Sequence, residues 1–188
     1  MADFDVDYNF MMTNEDAAQA HALVPDAPGQ WVTGADGARA WQGAWAISGI
    51  NSAAFPAQFA AIVAIPQTGR GPAIEAFYEA QFWNTYEGQL QDPIAERVLD
   101  TAVNRGATSG VKVLQRAVNA CGGTLIVDGR WGPLTVAAAN ACNQTALLAA
   151  LRAARLADYQ AVVAANPALA LYLGTAEAPG PWWIRSQR

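Results

Sequence analysis

The chain has 188 residues, 53% of them hydrophobic and only 14% charged, with a formal net charge of −5. This length suits one domain or two small lobes sharing a core, and the apolar content excludes a disordered chain. The acidic balance argues against general nucleic-acid binding, which needs a basic face to neutralise phosphates, and against a strong electrostatic grip on an anionic bacterial wall.

The first predicted helix covers about residues 5–20, with Phe10 and Met11 on its apolar face and acidic residues at its start, where the helix dipole favours them. From Leu23 to Gly43 the character changes. Pro25, Pro28, Gly29, Gly34, Gly37 and Gly43 punctuate the segment, which reads as loop with a short hairpin around Ala35-Asp36-Gly37. Trp31, Trp41 and Trp45 lie in or beside it, an unusual density of tryptophan for an irregular stretch. Gly71-Pro72 opens a helix with Ile74, Phe77, Tyr78, Phe82 and Trp83 on its apolar side. Asp92-Pro93 reads as a capping side chain followed by proline at the first helical position, and Gly106 ends that helix. Thr108 or Ser109 caps the next helix, whose inner face includes Val113, Leu114, Ala117 and Val118. A short strand and turn is predicted from Leu125 to Trp131, and Pro133 starts a further helix. Asn143 or Thr145 opens a long helix through Ala164, and Gly180-Pro181 makes a turn followed by aromatic packing of Trp182 and Trp183.

The apolar runs at 53–65 and 162–173 are interrupted and fall short of the roughly 20 residues a membrane-spanning helix needs, so no span is expected. The start Met1-Ala2-Asp3-Phe4-Asp5 is acidic where a signal peptide would be basic, which leads us to expect synthesis without a Sec-type signal. Cys121 and Cys142 bracket a loop of roughly 20 residues. A disulfide there contributes about 3 kcal/mol in the chain-entropy view, and two free thiols are the equal alternative. Two cysteines and one histidine do not make a structural zinc site, and neither a metal nor any other cofactor is expected.

Three segments carry a family resemblance. The first is Tyr78-Glu79-Ala80-Gln81-Phe82-Trp83, then Ile94-Ala95, then Leu99-Asp100-Thr101-Ala102-Val103-Asn104-Arg105-Gly106, continued by Leu114-Gln115-Arg116-Ala117. The second is Val127-Asp128-Gly129-Arg130-Trp131-Gly132-Pro133-Leu134-Thr135. The third is Arg155 and Tyr159 with the Trp183-Ile184-Arg185 ending. Together, over roughly residues 77–185, they resemble glycoside hydrolase family 108, the muramidases related to secretion-activator proteins, with their C-terminal peptidoglycan-binding region.

The resemblance implies a mainly α, lysozyme-like helical fold with a small β-hairpin element. It implies a catalytic lobe over 1–90, with a Trp- and Gly-rich insertion at about 30–45, and a helical, peptidoglycan-binding-like half over 91–188, packed as one compact unit. It further implies cleavage of the β-1,4 bond between N-acetylmuramic acid and N-acetylglucosamine. The expected partner is the peptidoglycan glycan strand, met by a monomer in the periplasm or on the wall after export or lysis. The family's Glu-Gly-Gly motif corresponds to Glu15-Asp16-Ala17, its Asp-Pro-Gly-Gly stretch to Asp26-Ala27-Pro28-Gly29, and its Thr-x-(Tyr/Trp)-Gly-Ile stretch to Gly43-Ala44-Trp45-Ala46-Ile47-Ser48. Glu15 is therefore the candidate acid, against the alternative of a solvated surface carboxylate. A carboxyl at a helix end facing an apolar cleft keeps its proton more readily than one in water.

Asp26 is the candidate second carboxylate, with Asp36 as competitor and turn capping as the alternative for both. His21 either lines the cleft or is a loop histidine. Trp31, Trp41, Trp45 and Trp83 are candidate sugar-stacking rings, since a pyranose offers an apolar C–H face to an aromatic plane, though at least two of them are expected in the core. Asn104 is a candidate donor to an N-acetyl group or a structural residue, while Asp100 is expected to be structural. Asp128-Gly129 reads as a turn. The substitution of both glycines after Glu15 motivates a second possibility, a weak or inactive wall-glycan-binding or interaction module of a phage or secretion system.

Overall fold

A computed structural model describes residues 1–34, 36–83, 86–175 and 177–188. The chain is mainly helical with one small antiparallel sheet, and divides into a contiguous unit, Met12–Gln81, and a discontinuous one, Met1–Met11 with Phe82–Arg188. Among the described residues, no single helix is long and apolar enough to cross a membrane.

Helix α1 runs Phe4–Glu15, shorter than its sequence pattern suggests. The reason is Asp16, whose carboxylate accepts from the backbone amides of Ala20 (3.0 Å) and His21 (2.8 Å), giving those amides a partner other than a helical carbonyl. Gln19 and His21 then adopt positive φ, and the chain turns into strand β1, Leu23–Thr33.

The segment expected to be loop is instead a long hairpin. β1 pairs antiparallel with β2, Arg39–Ile47, from Leu23↔Ile47 to Thr33↔Arg39, with an irregularity between Pro25 and Gly29. Proline is tolerated here because β1 is the edge of the three-stranded sheet, where an amide donor is dispensable. Of the hairpin expected around Ala35-Asp36-Gly37, Ala35 lies outside the described residues. Trp31 and Trp41 face each other across the strands, edge to face, with ring centroids 5.7 Å apart. The third strand, β3, is Ile50–Asn51, reached through the two-residue turn Ser48-Gly49.

Helix α2, Pro56–Val63, falls within the apolar run at 53–65, and α3, Gly71–Phe82, starts at Gly71 as its sequence suggests. Ile74, Phe77 and Tyr78 of α3 are buried, as are Ile47, Ile50 and Ile62, which gives Met12–Gln81 its own small core.

In the discontinuous unit, α4 (Asp92–Arg105), α5 (Ala107–Ala120), α6 (Pro133–Ala141) and α7 (Gln144–Ala165) carry the main core. Ile94, Val98, Val113, Leu114, Val118, Leu147 and Leu151 are each 1% exposed or less. Gly110 lets α5 approach α4 closely, because a Cβ there would stand 3.0 Å from the Val98 carbonyl and 3.2 Å from the Ala102 methyl. Gly106, at φ +89, both ends α4 and precedes α5, so the expected caps Thr108 and Ser109 fall inside the helix. Asp92 is not the cap of α4: Gln91 holds that place, and Asp92 accepts instead from the backbone amide of Asp3 (3.1 Å). Asn143 does cap α7, accepting from the Ala146 amide.

No strand forms between Leu125 and Trp131. The Leu125 backbone there is satisfied by a side chain, with Asn119 bonding both its amide (2.7 Å) and its carbonyl (2.8 Å), and the Gly129 amide bonds to Gln115 Oε1 (2.9 Å). Short α8, Ala170–Leu173, and α9, Pro181–Gln187, complete the unit, with Trp182 stacked between Tyr159 and Tyr172. Cys121 and Cys142 are free thiols. Burial, followed by the neighbouring Cys121, pushes the Cys142 thiol up.

Candidate functional site

Within Met12–Gln81, the groups with chemistry gather where α1 ends. Glu15 is the last residue of α1 and is half-buried. Its carboxylate lies against Gly49: a Cβ on that glycine would stand 2.5 Å from Glu15 Oε2 and 2.8 Å from the Tyr78 hydroxyl. A backbone glycine, a carboxylate and a phenol therefore converge on one spot. The Tyr78 hydroxyl donates to the Ser48 carbonyl (2.6 Å), which ties α3 to the same turn.

Behind this turn lies a hydrogen-bonded triangle. The Ser48 hydroxyl donates to Asp16 Oδ2 (2.7 Å), and His21 Nδ1 lies 3.0 Å from Ser48 Oγ and 3.3 Å from Asp16 Oδ2. Since the only hydroxyl proton goes to Asp16, Ser48 Oγ must accept from His21, which places a proton on Nδ1. Burial opposes ionisation of Asp16. The bonds from the Ser48 hydroxyl and the His21 and Ala20 amides outweigh it and hold the carboxyl below the ordinary aspartate value. Arg70 fixes the connection from below, donating through Nη1 to the His21 carbonyl (2.9 Å), while Gln67 donates to the Ala20 carbonyl (2.7 Å).

Asp26 lies on β1 in the same unit. Its Oδ2 accepts from Asn51 Nδ2 (2.8 Å) and its Oδ1 from the Ala27 amide (2.8 Å), so the carboxylate joins β1 to β3. Asp36 accepts from the Ala38 amide (3.0 Å) and caps its turn. Trp41 packs on Gly29 and donates through Nε1 to the Ala44 carbonyl (2.6 Å), and the half-buried Trp45 donates its amide to Ser52 Oγ (2.8 Å). Trp31, about half exposed, carries the Arg39 guanidinium over its ring at 5.3 Å.

Trp83 and Asn104 belong to the other unit. Trp83 meets Phe4 edge to face with centroids 5.6 Å apart. Asn104 Oδ1 accepts from the Tyr159 hydroxyl (3.0 Å). One turn earlier on α4, fully buried Asp100 pairs with Arg155 and accepts from Arg185 Nε (3.0 Å) and Nη2 (2.7 Å). Asp100, Asn104, Arg155, Tyr159 and Arg185, which stand in separate segments of the sequence pattern, thus form a single structural network. In the same way, Asp128 accepts from Gln115 Nε2 (2.9 Å), and Gly129 takes φ +76 against Thr108, where a Cβ would meet Thr108 Cγ2 at 2.5 Å. Asp128-Gly129 is thus held onto α5 by Gln115, with Asp128 Oδ1 also accepting from the Arg130 amide (2.9 Å).

The convergence of Asp16, Ser48, Gly49 and Tyr78 is not legible in the sequence alone. The Ser48-Gly49 dipeptide was its one local signal, a turn pair standing before Ile50. The structure puts Gly49, which stands just beyond the Gly43–Ser48 stretch, beside Glu15.

Comparison with known proteins adds the following. Residues 109–177 match the family described as "Predicted Peptidoglycan domain". No curated protein matches the chain. Among solved structures the chain is similar to SagA of Brucella abortus, at 20% identity and a TM-score of 0.55, over 84% of this chain and 79% of that one. The chain has the mainly α, lysozyme-like fold with a small antiparallel sheet that the resemblance implied.

Proposed function

We propose that the chain is a peptidoglycan hydrolase of the N-acetylmuramidase type, with Glu15 as its acid. The observation that carries this reading is the Glu15 carboxylate at the end of α1, lodged against Gly49 beside the Tyr78 hydroxyl. The match of residues 109–177 to a peptidoglycan family supports peptidoglycan as the substrate class. In this reading the place of action is the wall, reached by export or lysis.

Breaking a glycosidic bond requires a proton on the leaving oxygen, while a second carboxylate activates water or balances the oxocarbenium charge. Glu15 gives the proton. Asp26, held in one orientation by Asn51 and the Ala27 amide, takes the second role. Trp41 and Trp45 on the hairpin offer ring faces to pyranose C–H groups. Glu15→Gln keeps the shape but has no proton to give. Reducing-end release from purified peptidoglycan should fall by roughly 10²–10⁴-fold, the usual worth of a general acid, with the melting temperature unchanged. Undiminished turnover in that variant would move the acid elsewhere.

A second reading, a non-catalytic wall-glycan-binding or interaction module, draws on a different observation. Both Asp26 oxygens and the Asn104 side-chain oxygen already have partners within the chain. It predicts co-sedimentation with peptidoglycan without new reducing ends.

A further inference from the structure

Three non-glycine residues among those described have positive φ: Gln19 (+46), His21 (+49) and Ser48 (+46). Two of them, 27 positions apart, meet side chain to side chain, and both bond to Asp16. Left-handed backbone costs conformational energy for any residue with a Cβ, so it persists where the surroundings need the side chain it carries.

The Ser48 position makes this specific. Ile47 pairs with Ile50, so Ser48-Gly49 is a two-residue hairpin connection with positive φ at both central residues, +46 and +82. Such turns favour asparagine or glycine at the first position. Serine there is the harder choice for the backbone, and what it adds is a hydroxyl. That hydroxyl is spent on Asp16, the residue next to Glu15, while the Ser48 carbonyl receives the Tyr78 hydroxyl and the next residue, Gly49, receives the Glu15 carboxylate.

We propose that Ser48 is a positioning residue for Glu15: bound by Asp16 and His21, it fixes the Ser48-Gly49 turn as the wall against which the Glu15 carboxylate is oriented. The proposal rests on the reading of Glu15 as the acid. Ser48 has no contact with the substrate in this scheme. Asp16 joins the two sides, because one helix end delivers both its carboxylate to Ser48 and the Glu15 carboxylate to Gly49. His21 braces the hydroxyl from the third side, and its own backbone is held by Arg70.

The test uses the full chain and soluble glycan-strand fragments, with wild type, Glu15→Gln, Ser48→Gly and Ser48→Asn measured together for kcat, KM and melting temperature. Glycine suits φ +46 better than serine, which offsets part of the cost of losing the bond to Asp16, so Ser48→Gly should melt within about 5 °C of wild type while lacking the hydroxyl. The expected result is a kcat lowered at least about tenfold with KM changed by less than about twofold, the mark of a misplaced group and not of lost binding. Asparagine tolerates the conformation and offers an N–H to Asp16, so Ser48→Asn should recover kcat to within about threefold of wild type. Wild-type kcat in Ser48→Gly would overturn the proposal, as would losses in both variants that merely follow a lowered melting temperature. Wild-type turnover in Glu15→Gln, or none in the wild type, would instead remove the reading on which the proposal stands.

Discussion

Asp7 is a carboxyl with nowhere to put a charge. It is fully buried on α1, and neither of its oxygens has a hydrogen-bond partner among the described residues. Burial, reinforced by Glu96, Asp92, Glu87 and Asp3, raises its pKa from 3.8 to about 8. A carboxyl whose pKa is raised by folding binds its proton more tightly in the native state. Stability is therefore greatest below the unfolded value and declines as pH rises towards the folded value. The decline should approach about 1.4 kcal/mol per pH unit at most, between pH values of about 4 and 8, and level off above that. Asp7→Asn should flatten this slope and raise the melting temperature at pH 8–9 relative to wild type. A denaturant-unfolding series across pH on both proteins checks it. Parallel slopes would place the sensitivity elsewhere.

The hairpin of β1 and β2 depends on one small residue. A Cβ on Gly29 would stand 2.2 Å from Trp41 Cζ2, so Gly29→Ala must displace the indole and strain its bond to the Ala44 carbonyl. Overpacking of this kind costs about 1–3 kcal/mol. Amide exchange should accelerate along 29–33 and 39–43 while the helices of the other unit keep their protection. This element is also where sequence reading and structure diverge most. Helices announce themselves through local signals, and Pro133, Gly106 and Asn143 all act near where they were expected. Pro25, Pro28 and Gly29 signal loop just as locally, and only the pairing of β1 with a strand more than ten residues away makes them an edge strand. The candidate site divides the same way. Glu15 was legible through family resemblance at the end of a helix. The Asp16, His21 and Ser48 triangle was not, because it is closed by contacts across 27 and 32 positions and by backbone angles that no pattern displays.

For the molecule as a whole, the deepest dependence is on Asp100. One buried carboxylate faces two guanidiniums, Arg155 from α7 and Arg185 from α9, both almost wholly out of water. Removing the carboxylate leaves two buried cations without their anion, so Asp100→Asn should destabilise the chain by about 3–5 kcal/mol. Arg185→Met should cost less, since Asp100 keeps Arg155. A chemical denaturation comparison decides the order, and equal losses would show that the Asp100–Arg185 pair alone carries the dependence.

The Asp100–Arg185 bond also has a consequence in time. It spans 85 positions, and Ala2 bonds to Leu90 across a further long separation, so this unit is closed by its two sequence extremes. The stretch Met12–Gln81, which holds Glu15, Ser48, Gly49 and Tyr78, is a compact unit of contiguous sequence. During synthesis it can fold as soon as it emerges, whereas the unit that matches the peptidoglycan family must wait until Arg185 has been made. The nascent chain would then carry Glu15 and the Ser48-Gly49 turn in a finished setting before the unit containing residues 109–177 has closed.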